Sequence, residues 1–154
     1  MNLKVAWIGK TKEPAIQSLT NDYLKRIAHH ATVEGLALRD EGALLQLCGR
    51  AALSKGGKAA SRKSTLVLMD SRGKQFSSEE FARFIGNHQE QNPLPLVFGV
   101  GPADGFSEAS LDAAQHIVSL GRMTLAHELA RVVLLEQVYR ALTILKGHPY
   151  HFGH

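Results

Sequence analysis

The chain has a single cysteine, Cys48, so no disulfide can form within it, and a reducing compartment is expected. Cys48 stands between Leu47 and Gly49, a setting that suits a small buried side chain better than a nucleophile. No apolar run approaches the ~20 residues of a membrane span. The start, Met1-Asn2-Leu3-Lys4, lacks the layout of a signal peptide. A cytoplasmic protein without membrane contact is therefore expected. Also missing are a G-x-S-x-G elbow, an H-E-x-x-H pair and a P-loop. Their absence removes the commonest hydrolase, zinc-protease and nucleoside-triphosphatase designs. Internal repeats and low-complexity segments are absent as well.

Acid is scarce in one stretch. Between Arg50 and Lys74 lie seven basic residues (Arg50, Lys55, Lys58, Arg62, Lys63, Arg72, Lys74) against one acid, Asp70. The whole chain carries a formal charge of +4. A solvated helix face accounts for such a stretch; so does a patch that meets phosphates, whose binding would fall with salt.

What is present is an alternation of strand and helix patterns over 154 residues, which implies one α/β domain spanning 1–154. Leu3–Ile8, Thr32–Leu38, Thr65–Met69, Leu96–Val100 and His116–Ser119 read as strands. Pro14 opens a helix whose inner face would carry Ile16, Leu19, Tyr23, Leu24 and Ile27. Glu41–Leu53 reads as helical and fades into a flexible Ser54–Lys58. Ser77 stands three residues before Glu80, a capping box opening a helix over Ser78–Asn87, and a turn through Gly73 separates it from the central strand. A short helix is expected over Ser107–Ala114 and a long one over Ala126–Lys146, stopped by Gly147 and Pro149. Such a pattern predicts a mostly parallel sheet covered by helices on both faces, with ligands at the C-terminal strand ends. Asp70, Gly99–Gly105 and Leu120–Leu125 all follow strands and should share that edge.

The spacing Gly99-x-Gly101-x-x-x-Gly105 follows a late strand, and Pro102 removes an amide, so it fits a tight turn as well as a ligand loop. His148, His151 and His154 have the spacing of a metal tract, but Pro149 and Gly153 deny them a common helix face, and no metal is expected. Tyr150, His151 and Phe152 suit stacking on bases or packing of the tail on its own domain.

Ser119-Leu-Gly-Arg-Met-Thr-Leu-Ala-His127, Arg131-Val-Val-Leu-Leu-Glu-Gln-Val-Tyr-Arg-Ala141 and His148-Pro-Tyr-His151 together carry a family resemblance. Gly9-Lys-Thr-Lys12, Gly73-Lys74 and Ser77–Ala82 add to it. Across essentially its whole length the chain resembles the SPOUT (trefoil-knot) methyltransferases, in particular the small bacterial members that methylate N3 of a pseudouridine in 23S ribosomal RNA. The resemblance implies a deep C-terminal knot, a homodimer, the assembled ribosome as substrate, and S-adenosylmethionine as methyl donor. Carried over by position, the donor is held by Met69, Gly101 and the loop Leu120, Gly121, Arg122, Met123, Thr124 and Leu125. His127 and His151 are candidates for removing the imide proton, because an imidazole accepts protons near neutrality. Arg131, Arg140, Tyr150 and His151 are candidates for meeting the RNA, the arginines on its phosphates or bracing the subunit interface.

The sequence departs from that family pattern at Pro102, where a second glycine is usual, at Ala126, where a proline is usual, and at Phe152, where a basic residue is usual. A non-catalytic RNA- or ribosome-binding module of the same fold, and a nucleotide-dependent oxidoreductase, are the competing readings.

Overall fold

A computed structural model describes residues 1–49 and 63–153. Its strands are β1 (Asn2–Ile8), β2 (Thr32–Leu38), β3 (Thr65–Gln75), β4 (Leu96–Val100) and β5 (His116–Ser119). Between them run α1 (Pro14–Ala28), α2 (Glu41–Leu47), α3 (Ser78–Gln91) and α4 (Glu108–Ala113). The long helix α5 (His127–Leu145) and a 3-10 turn over His151–Gly153 complete the chain. All pairings are parallel, in the order β2-β1-β4-β3-β5.

The central strands are apolar on both faces because both faces are covered. Along β3, Val67 and Met69 join Phe98, Val100 and Val118 in a core closed by Ile27 of α1, Phe81 and Ile85 of α3, and Leu134, Leu135 and Val138 of α5. Leu66 and Leu68 point the other way, into a core with Leu44 of α2, Cys48, Phe106 and Leu111 of α4. Burial of these side chains removes the period-two alternation a half-exposed strand would show.

Three element ends differ from the sequence reading by more than a residue, and so does one inward-facing position on α1, each for a local reason. β3 does not turn at Gly73 but continues to Gln75, with a bulge between Met69 and Lys74 in its pairing with β5. Gly73 serves that bulge: a Cβ there would stand 2.5 Å from the Ile117 backbone. α2 ends at Leu47, where Cys48 caps it and Gly49 turns the chain at φ +72°; the expected continuation over 50–53 lies outside the described residues. α3 runs to Gln91, past Asn87, with Asn92 bonding back to the His88 carbonyl. On α1, Leu19 is exposed and Thr20 takes the inward place beside Ile27. Ser54–Lys58, Arg50, Lys55, Lys58 and Arg62 lie outside the described residues.

Candidate active site

Met69, Val100 and Val118 stand in one row across β3, β4 and β5. Beyond that row three loops leave the same sheet edge, and α5 begins against them. They enclose a cleft of about 230 Å³ between Asp70–Ser71, Gly101–Gly105, Ser119–Leu125, and the first turn of α5 at His127 and Ala130. A second cavity of about 310 Å³ lies behind Met69, Ser119 and Leu120, between Phe76, Phe81, Val133 and Gln137.

The loops are held from below by a network no motif announced. Asp70 Oδ1 accepts from the Arg72 backbone N–H at 3.0 Å and from Arg72 Nε at 2.8 Å, and Oδ2 accepts from Nη2 at 3.0 Å. Arg72 then donates to the Phe106 carbonyl and to Glu108. These guanidinium bonds, ahead of the opposing cost of burial, hold the Asp70 carboxyl below its ordinary value of 3.8. From the other side Glu41 accepts from Ser107 and Ser110 and so fixes the start of α4. The sequence hint was slight: Asp70 and Arg72 are two residues apart on a strand, hence on one face. Arg72 is therefore an ion-pair partner within the fold, distinct from a free surface cation.

Glycine acts at two places. A Cβ on Gly101 would fall 2.8 Å from the Phe106 ring, so the ring packs where a side chain would be and the Gly101 backbone forms the cleft floor. Gly121 sits at φ +137°, and Ser119 Oγ bonds both its N–H and its carbonyl, which shapes the loop before α5.

Of the residues carried over for the donor, Met69, Gly101, Leu120, Gly121, Met123, Thr124 and Leu125 line this one cleft, together with His127. Arg122 is exposed and outside the lining. Met123 is 83% exposed, an apolar side chain left uncovered at the mouth. The lining includes Asp70 and Asp104 but no lysine or arginine.

The remaining candidates stand elsewhere. Arg131, one turn into α5, is buried, its guanidinium 4.2 Å from the Trp7 ring centre. Arg140 lies thirteen residues beyond His127 on α5, a rise of about 20 Å. There it binds Glu136 through Nε and Nη2. Tyr150 donates to the same Glu136 carboxylate at 3.1 Å, and burial, then that carboxylate, pushes its phenol up to about 12. His151 lies between Arg140 and Glu79, with Nδ1 at 3.0 Å and Nε2 at 2.7 Å respectively. A guanidinium only donates, so Nδ1 accepts and Nε2–H faces the carboxylate. Both ring nitrogens are thus occupied. The tail is folded onto its own helix, away from the cleft of the same chain. His148 accepts from the Tyr150 backbone, so it and His151 go to different partners.

A family model described as "Predicted SPOUT methyltransferase" matches residues 1–151. The chain belongs to the SPOUT methyltransferase family. Among curated SPOUT relatives, "Ribosomal RNA large subunit methyltransferase H" of Koribacter versatilis is 54% identical over 154 residues, covering 100% of both chains. The protein of the same name from Geobacter sp. is 40% identical over 152 residues, 98% of this chain and 99% of that one. Among solved structures, a probable methyltransferase from Bordetella pertussis superposes with a TM-score of 0.61 at 10% identity, covering 92% of this chain and 94% of the other. The SpoU methyltransferase AviRb from Streptomyces viridochromogenes, solved in complex with AdoMet, gives 0.52 at 16% identity, covering 90% and 57%. These structural likenesses are of fold. They match the parallel sheet flanked by helices that the sequence pattern implied.

Proposed function

We propose that this chain, as one domain over 1–154 with the family's C-terminal knot, methylates N3 of a pseudouridine in 23S ribosomal RNA, using S-adenosylmethionine. The observation that carries this reading is the cleft itself. Three strand-end loops with apolar walls and no lysine or arginine suit a flat aromatic group attached to a cationic sulfonium. A dinucleotide, with its pyrophosphate, would call for cations or a glycine-rich helix start there, which argues against an oxidoreductase. Backbone groups of Gly101–Gly105 and Leu120–Leu125 would hold adenine, between Met69, Leu120, Met123 and Leu125.

Bound S-adenosylmethionine supplies a methyl group already activated on sulfur. The protein's share is placement, exclusion of water and removal of the imide proton from N3. His127, on the cleft wall, is placed to take that proton. His151 belongs to the tail and meets a cleft only through a second copy, since Arg140, its partner, is about 20 Å along α5 from His127. A homodimer that brings Tyr150 and His151 of one chain to the cleft of the other satisfies both constraints. The substrate proposed is the assembled ribosome in the cytoplasm; no described helix is long and apolar enough to cross a membrane.

The test is methylation of ribosomes from a deletion strain, with the modified nucleotide mapped by mass spectrometry. A methyl group on N3 of one pseudouridine is expected. Calorimetry with S-adenosylmethionine separates the competing module: no heat of binding would leave an RNA-binding protein without chemistry. His127→Ala and His151→Ala, compared in single-turnover reactions, assign the base; unchanged rates in both would remove the two histidines from proton transfer.

A further inference from the structure

Arg131 is 1% exposed, yet among the described residues no carboxylate hydrogen-bonds it. Its Nη1 donates to Thr11 Oγ1 at 2.7 Å and reaches Thr20 Oγ1 at 3.5 Å. Its Nε, like the Trp7 indole Nε1, has no partner among the described residues. An apolar side chain of similar volume would avoid burying a charge, so a purely packing role leaves the guanidinium unexplained. What it holds is informative. Thr11 lies in the β1–α1 loop, between Lys10 and Lys12, and the next turn of contact runs the same way: the Lys12 backbone N–H donates to Glu128 Oε1 at 2.6 Å. Glu128 and Arg131 thus meet the loop, while His127 and Ala130, on the adjoining strip of the same turns, line the cleft. β1 pairs with β4 at Trp7 and Val100, so the loop leaves the same sheet edge as the cleft loops. Lys10 and Lys12 are exposed there.

We propose that Arg131 is a positioning residue that locks the Lys10–Lys12 loop to the cleft helix, so that the two lysines meet phosphates of the RNA while its target base enters the cleft. This rests on the RNA-methylating reading above. A loop held by two side chains of α5 is pre-organised, and lysines on it neutralise phosphates without first losing loop freedom. Arg131 itself touches neither donor nor RNA.

The experiment compares wild type, Arg131→Met, Arg131→Lys and Lys10→Ala/Lys12→Ala on ribosomes from a deletion strain, with calorimetry for S-adenosylmethionine. Arg131→Met is expected to keep donor affinity within about threefold while raising KM for ribosomes about tenfold. The dependence of log KM on log salt should become shallower by about one contact or more. Arg131→Lys should recover part of the loss. Adding Lys10→Ala/Lys12→Ala to Arg131→Met should change KM little further, because the lysines have already lost their placement. If Arg131→Met does not fold, Thr11→Val removes the same tie and is read in the same way. A KM unchanged within twofold, fully additive effects, or an equal fall in donor affinity would overturn the proposal. A wild-type protein that neither binds S-adenosylmethionine nor methylates ribosomes would instead defeat the functional reading, a result visible before any variant is compared.

Discussion

Asp70 and Gly101 show how much of this cleft is set by single lining residues whose main bonds and packing run back into the fold. Asp70 is nearly buried and takes charge-assisted bonds from Arg72. Asp70→Asn should lower stability near pH 7 by about 1–3 kcal/mol, measured by denaturant unfolding. The sign with pH follows from the direction of its shift. A carboxyl held below 3.8 when folded contributes stability that is complete above 3.8 and is lost as pH falls through the lower folded value. The gap between wild type and Asp70→Asn should therefore close on acidification below about 3.8. Gly101→Ala forces the well-packed Phe106 ring to move. Calorimetry should show S-adenosylmethionine affinity reduced about tenfold, the magnitude of 1.4 kcal/mol. Met69, Gly101, Leu120, Gly121, Met123, Thr124 and Leu125 were legible as cleft residues through resemblance, Arg122 being the exception, and each strand end was legible through its apolar run. Asp70–Arg72–Phe106 was not, because it joins residues more than thirty positions apart and leaves no local pattern.

At the scale of elements, helix starts differ in how well they are satisfied. α3 opens with a full capping box between Ser77 and Glu80, whereas α5 opens at Ala126 with no side-chain cap. α1 also opens uncapped, at Glu13, but only the α5 start stands beside the cleft. Ala126→Ser supplies the missing acceptor and should raise stability by about 0.5–1 kcal/mol, seen as a higher unfolding temperature. The capping box was readable from Ser77 and Glu80 alone. The lengths of β3 and α2 were not, since Gly73 in one and Gly49 in the other look alike as letters. One accommodates a bulge against β5 while the other ends a helix at positive φ. Only the neighbouring strand decides between them.

For the molecule as a whole, the α/β layering was legible because both faces of the sheet are covered and the strands are correspondingly apolar. The tail was less so. Tyr150, His151 and Phe152 pointed to stacking on bases, with self-packing as the alternative, and the fold closes Tyr150 and His151 onto Glu136, Arg140 and Glu79. The proposed homodimer has an apolar surface available on the packed α1–α5 pair, where Leu19 is 42% and Leu129 44% exposed. Replacing both with glutamate should yield a monomer in sedimentation analysis and abolish methylation. A monomeric double variant that remains fully active would rule out a shared site.

Trp7 lies beneath the Arg131 guanidinium and is the chain's sole tryptophan. The protein therefore carries one tryptophan fluorophore, which red-edge excitation selects over its three tyrosines, shielded from solvent and placed at the junction of the first loop and the long helix. Its emission belongs to that junction alone. Steady-state and stopped-flow fluorescence can thus follow how this corner responds to each ligand in turn, with no label attached.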